Sequence, residues 1–460
     1  MGGGDCSFEG EAKEKYDKAI EKIKEKNLNK TDYEIGYIYA KENRWLVGGE
    51  HGALDYKMSI ITTSPSKIIE KNPMYFGNMD NESSIIEKKG VLNAEIIMSI
   101  NSFCSDIKKE IQSSLSHFFF LTNFGTRQSK GYGSFYPIKD NTDFKYEDIK
   151  TLNSEHNLYF DIKRTTLGKV LDNIDLFYKS MRSGLNVKSP IYQKDSSGKI
   201  LLDDKKKIPE KDKYGVKMRT IFYFKSLIFL YGRHLDIQWE KKKIKEEFFL
   251  DNDISYNDKR GNNCLAKGLN QQRNEHRTPT DTPLFYENID NVHILRDLFG
   301  LSSAENWQSY GTDIIKTEAK LIGKQWIKKE KKELIIERFP SPLTLKVFEL
   351  DKCNYRVFIN INREIEKELI TNILRKTFIV NQKDTNKEFS ISFPDHFSFE
   401  DFFNYILTGN NFNIDMHIER QFIKNGYKDR DGNYVQSHYE ILKEIYSQLK
   451  QNYRWAHIQQ

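Results

Sequence analysis

An α+β fold is what this 460-residue chain predicts, and three observations carry the prediction. Apolar residues recur at helical spacing in several segments, as Ile107, Ile111, Leu115 and Phe118 do. Elsewhere they alternate as strand residues do, with Leu343, Leu345 and Val347 set against Thr344, Lys346 and Phe348. The two kinds of segment mix, with antiparallel hairpins, through both halves of the chain, which favours α+β over a doubly wound sheet. The length is enough for two or three domains, each burying its own core.

Composition narrows the classes of function. Charged residues make up 30% of the chain and mean hydropathy is −0.69, yet aromatics reach 13%, so the expectation is a folded protein with a highly polar surface. Net charge is +6, from 72 Lys and Arg against 66 Asp and Glu, so any nucleic-acid surface must be a local patch. Cys6, Cys104, Cys264 and Cys353 show neither metal-ligand spacing nor a disulfide pattern, which fits a reducing, cytoplasmic setting. No stretch reads as a signal peptide or a bilayer span, and no cofactor or metal is expected.

Taken in order, Glu9 to Lys26 alternates Lys and Glu and reads as an exposed helix or extension. Tyr33 to Lys57 predicts two short strands around a polar turn at Lys41 to Arg44, with a glycine pair at Gly48 and Gly49. Scattered Pro, Ser and Gly from Ile60 to Asn81 predict an irregular connection. Gly90 to Asn101 reads as a strand and Asp106 to Phe120 as a helix. Leu167 to Met181 is a further helix, which Gly184 is placed to cap. Asp195 to Lys217 is a charged hairpin or insertion, and Ile221 to Gly232 a buried helix or strand. Asn252 to Thr282 is a long polar loop whose Arg and Asn content suits sugar–phosphate contacts. His293 to Ser303 predicts a short helix closed at Gly300. Leu343 onward predicts a hairpin with one buried face, turning at Asp351 to Asn354. Ile365 to Leu374, Phe399 to Leu407 and Ser437 to Gln451 read as helices, and Phe389 to Phe393 as a strand.

The stretch richest in chemistry is Asn123 to Phe135, NFGTRQSKGYGSF. Gly125, Gly131 and Gly133 can take positive φ and let backbone N–H groups approach a ligand, Arg127 and Lys130 add charge, and Tyr132 offers a stacking face. The spacing matches neither a Walker loop nor a dinucleotide fingerprint. A plain surface turn, with Gly125 capping the preceding helix, is the structural alternative. A second candidate RNA-facing patch is Arg233 and His234 with Lys241, Lys242 and Lys243, Trp239 lying between, and Arg182 at a helix end is a further candidate contact.

Gly125, Arg127, Ser129, Lys130, Gly131, Tyr132, Gly133 and Ser134 in that order resemble the glycine-rich loop of the RAMP superfamily, the RNA-binding proteins of CRISPR effector complexes. Leu176 to Asn186 and the lead-in RFPSPLTLK, Arg338 to Lys346, are similar to segments of its larger members, and the first subunit of the Cmr-type (type III-B) effector is the most similar kind. The N-terminus departs from that pattern, with only Trp45 to Gly49 where the family has a longer strand and glycine stretch. The resemblance implies two ferredoxin-like βαββαβ units with antiparallel sheets and long insertions, at 31–160 and 161–460 after a charged extension at 1–30.

It also implies a non-catalytic RNA-binding subunit that contacts guide RNA or guide–target duplex through the loop, with Arg182, Arg233 and Lys241 as further contacts and other effector subunits as partners. The alternative it allows is a metal-independent endoribonuclease that processes guide RNA. His117 and His234 are then the candidate acid and base, each set against an ordinary structural or surface histidine.

Overall fold

The computed structural model describes residues 11–26, 30, 32–47, 53–64, 95–125, 127–136, 158–203, 206–212, 215–216, 218–249, 254–257, 263–266, 291–307, 312–329, 338–383, 385–418, 420–423, 427–428 and 434–458. Helices and several small sheets mix throughout, an α+β architecture. The chain divides into two compact units, and the division is discontinuous in sequence. The first gathers 1–157, 162–171 and 345–358, and the second 158–161, 172–344 and 359–460.

In the first unit, helices Glu11–Lys26 and Asp32–Glu42 bury Ile20, Ile23 and Ile35 against each other. The second helix replaces one of the two strands expected after Tyr33. Its Ile and Tyr residues favour strand locally, but packing Ile35 onto the first helix outweighs that preference. The turn falls where expected, with Arg44 at φ 59°. Lys57–Ser64 then pairs antiparallel with Glu95–Asn101, so a strand begins where an irregular connection was expected. Its run of Ile60, Ile61, Thr62 and Thr63 is strongly β-prone, and the punctuating prolines begin only after it. Met98 and Ile100 on its partner pack against Ile107, Ile111 and Leu115 of helix Ser105–Leu121.

The segment 345–358 returns to this unit from far along the chain. It belongs to the expected hairpin, Leu343–Asp351 and Asn354–Ile361. Both faces are buried from Leu343 to Phe348, where one buried face was expected. Lys346 is among the buried residues, and its side chain reaches the Thr122 carbonyl just before the glycine-rich loop.

In the second unit a seven-stranded sheet runs in the order Gln238–Trp239, Val292–His293, Glu388–Ser392, Thr377–Gln382, Thr312–Ile322, Ala304–Trp307, with Gln325–Lys328 pairing off Thr312–Ile322. The pairs at its first end are parallel and the remainder antiparallel. The expected apolar run beyond Ile221 resolves into strand Met218–Phe224 and helix Leu227–His234. Helix Phe399–Leu407 has its expected bounds and is capped by the Ser398 side chain, which accepts from the Asp401 N–H. Helix Leu167–Arg182 ends where Ser183 and Gly184 both donate to the Lys179 carbonyl, with Gly184 at φ 74°. The terminal helix His438–Ile458 sets Tyr446 among Phe177, Phe224 and Phe412. Of the long polar loop, Ile254–Asn257 pairs with Asn263–Ala266, while Lys267, Arg273, His276 and Arg277 lie outside the described residues.

Candidate nucleic-acid interface

The glycine-rich stretch is a closed loop built on one buried asparagine. Asn123, 2% exposed, donates through Nδ2 to the carbonyls of Gln128 (2.9 Å) and Leu345 (2.8 Å), and its Oδ1 accepts from Ser134 Oγ (3.0 Å). One side chain thereby ties both ends of the loop to its middle and to the returning strand. Ser134 Oγ in turn accepts from the Val347 N–H at 3.1 Å. Asn123 and Ser134 form a single antiparallel bridge, with no further strand among the described residues that follow, up to 136.

The helix before the loop stops at Thr122, whose backbone is extended, so Gly125 is not its cap. Lys346 donates to the Thr122 carbonyl at 3.1 Å, placing a cation at the negative end of the helix dipole. Burial pushes its ammonium down to about 7, and no carboxylate offsets that burial among the described residues. This lysine closes the RFPSPLTLK segment, so two motifs whose contacting residues are 213 to 224 apart in sequence meet in one place.

The turn itself holds an unusual backbone. Arg127 sits at φ 59°, a left-handed conformation costing a non-glycine residue roughly 1–2 kcal/mol, and leads into a 3-10 turn over Gln128–Lys130. Gly131 and Gly133 follow at φ 80° and 72°. A Cβ on Gly133 would lie 1.8 Å from the Phe124 carbonyl oxygen, so the position admits glycine alone. The Arg127 guanidinium lies over the Tyr132 ring, 5.9 Å from its centroid. Ser129, Lys130 and Tyr132 are half-buried, and Gly131 is buried. From Ile111 to Lys139 the chain carries no Asp or Glu, so no acid within this stretch cancels the two cations.

Beside the loop an aromatic group gathers. Phe124 packs edge-to-face with Phe118 at 5.8 Å and Phe135 at 5.8 Å, and lies 5.9 Å from Phe119. Phe118 remains 46% exposed and Phe124 38%. Sequence reading counted Phe118 with the apolar spacing of the helix and passed over Phe124, because apolar residues at and beside a helix end normally face inward.

The other cationic candidates sit in a different setting, in the second unit. Arg182 donates to the carbonyls of Arg296 (3.0 Å) and Gly300 (3.2 Å) and pairs with Asp297 at 3.3 Å. Asp297 is fully buried and also pairs with buried Lys316. Arg296 pairs with Glu240 (2.5 Å) and Glu305 (2.9 Å), and Lys316 with Glu305 (3.0 Å). Burial works against charge on both Lys316 and Glu305, but their partners outweigh it. Asp297 and Glu305 raise the Lys316 ammonium, and Arg296 with Lys316 holds the Glu305 carboxyl well below its usual range. Lys241 lies 5.2 Å over the Trp239 ring, and burial, with Lys245 and Arg296 nearby, pushes it down to about 7. Arg233 is half-buried at the end of helix Leu227–His234.

Exposed His234 stacks on Tyr405 at 4.4 Å. The side chain of His117 lies outside the described residues. Among the described residues no three His, Cys, Asp or Glu side chains are grouped to hold a metal ion. No helix among them is long and apolar enough to cross a membrane.

The family model for the Cmr1 N-terminal domain matches residues 10–185, and that for the Cmr1 C-terminal domain matches residues 223–429. No curated protein and no solved structure matches the chain. The two family models follow one another in order and together account for most of the chain, including the glycine-rich loop. The chain therefore belongs to the Cmr1 family, the RAMP-type subunit of the type III-B (Cmr) CRISPR effector complex.

Proposed function

We propose that this chain is a non-catalytic RNA-holding subunit of a Cmr effector, built on two ferredoxin-like units, and that the loop from Gly125 to Ser134 tracks the backbone of guide RNA or of its duplex with target. The observation that carries this reading is the loop itself. Its strained turn is anchored from beneath by Asn123 and Lys346, and it presents Arg127 and Lys130 from a stretch without carboxylates. A left-handed arginine is retained where the surrounding hydrogen bonds over-determine it, and such strain concentrates at ligand clamps. In this reading Arg127 and Lys130 neutralise phosphates and Tyr132 supports the arginine or stacks on a base. Arg182 and Lys241 help hold the second unit together through the contacts described above, with the loop carrying the main RNA contact.

The test is RNA affinity as a function of salt for the parent protein and for the double variant Arg127→Ala/Lys130→Ala. Loss of two phosphate contacts weakens binding and flattens the log–log salt slope by about 1.4. Unchanged affinity and slope would show that the loop does not hold RNA. For the endoribonuclease alternative, labelled repeat RNA incubated in EDTA is expected to stay intact. Specific cleavage abolished by His117→Ala or His234→Ala would make the chain an enzyme.

A further inference from the structure

We infer that Phe118 and Phe124 form a stacking platform for unpaired bases, so that this loop takes single-stranded RNA in preference to duplex; the inference rests on the reading of the loop as an RNA holder. Two large rings stand 46% and 38% exposed, where burial would be the ordinary fate of phenylalanine, and Leu121 beside them is 36% exposed. Phe118 and Leu121 are three residues apart on the last turn of their helix and therefore share a face. Phe124 stands at the mouth of the loop, with its backbone N–H bonded to the Gly133 carbonyl at 3.0 Å.

The rings are also held in place. Phe118, Phe119, Phe124 and Phe135 lean on one another at centroid distances of 5.6–5.9 Å, mostly edge-to-face. Rings fixed in this way lose little freedom when a base arrives, which lowers the entropic cost of stacking.

Charge decides what the patch receives. An apolar patch alone would suit an apolar segment of another protein equally well. This one is continuous along the chain with Arg127 and Lys130 and lies in a stretch, Ile111 to Lys139, that holds no acid. An occupant that is flat and aromatic on one side and anionic on the other satisfies both parts at once, and a nucleotide chain with its bases unpaired has that character. A duplex does not, because its base faces are already stacked and only its phosphates reach outward.

The experiment compares parent protein, Phe118→Leu/Phe124→Leu and Arg127→Ala/Lys130→Ala, each titrated with a labelled single-stranded RNA and with the same strand annealed to its complement. Leucine keeps the apolar character and removes the ring at two partly exposed positions, and far-ultraviolet circular dichroism checks that each variant is folded. A single strand carrying 2-aminopurine reports stacking directly through fluorescence quenching. The expected result for the Phe variant is a loss of single-strand affinity of about tenfold or more, with reduced quenching, an unchanged salt slope and unchanged duplex binding. The platform is overturned if single-strand affinity and quenching are unaffected, or if duplex binding falls equally. Unaffected RNA binding together with loss of assembly with other effector subunits would likewise overturn it, assigning the patch to a protein partner. Should the Arg/Lys variant weaken binding while the Phe variant does not, the platform alone fails. Should the Arg/Lys variant bind normally, the RNA-holding loop fails with it.

Discussion

Two groups of basic residues in this chain look alike by residue type and have different surroundings once folded. The glycine-rich loop presents Arg127 and Lys130 from a stretch with no acid, supported by hydrogen bonds from Asn123 and Lys346 to backbone carbonyls. The cluster of Arg182, Arg296 and Lys316 turns its charge inward, onto Glu240, Asp297 and Glu305. A cation paired with buried carboxylates spends its field on them. The count of Lys and Arg in a segment thus says little about where their charge is directed once the chain is folded.

The largest expected effect lies in the ion cluster. Asp297→Ala leaves buried Lys316 and the Arg182 guanidinium short of a partner, and should cost about 3–5 kcal/mol of stability in chemical denaturation. If Asp297→Ala unfolds at the same denaturant concentration as the parent, the cluster is not what holds that region, and the contrast with the loop loses its basis.

A second effect separates glycines within the loop. At Gly133 an added Cβ would strike the Phe124 carbonyl, whereas at Gly125 it would meet nothing within 4 Å and only the positive φ of 79° opposes it. Gly133→Ala should therefore abolish the loop's contribution to RNA binding, while Gly125→Ala costs about 1–2 kcal/mol and leaves binding measurable. Affinities measured side by side check this. Equal behaviour of the two variants would mean the loop is not held in the described conformation.

A third effect, spread over a range of pH, is a pH dependence. The Lys346 ammonium is held at about 7 in the folded chain, against about 10.4 when unfolded. Between those values the unfolded chain binds the extra proton, so the lysine's contribution makes stability rise with pH across that window, by up to roughly 4 kcal/mol. Lys346→Met should remove that rise, leaving a flatter stability–pH curve than the parent between pH 7 and 10. Lys241, also held at about 7, contributes a similar rise that the variant keeps. An identical curve for parent and variant would show that Lys346 is not buried as described.

Much of the architecture was legible because it rests on periodicity. Helix Ser105–Leu121 and the hairpin from Leu343 follow from the spacing of their apolar residues, and the loop from its glycines. Helix Asp32–Glu42 was not, because its residues favour strand until the neighbouring helix supplies a surface for Ile35. Nor was the core of the site. Asn123 and Lys346 look like ordinary polar residues in a string, and their roles appear only when strand 345–358 returns to the first unit. The alternation around Lys346 placed it on a solvent face, which would have hidden it even from a close reading. The pairing of Arg182 was hidden for the same reason, since its carboxylate partner Asp297 lies far along the chain.

The most direct test of the central claim is to find where RNA touches the chain. In the assembled effector, ultraviolet cross-linking followed by mass spectrometry of the peptides reads those contacts out by residue. The account predicts nucleotide adducts on peptides carrying Phe124 or Tyr132. Adducts confined to the region of Arg182, Arg233 and Lys241, with none on the loop, would contradict it.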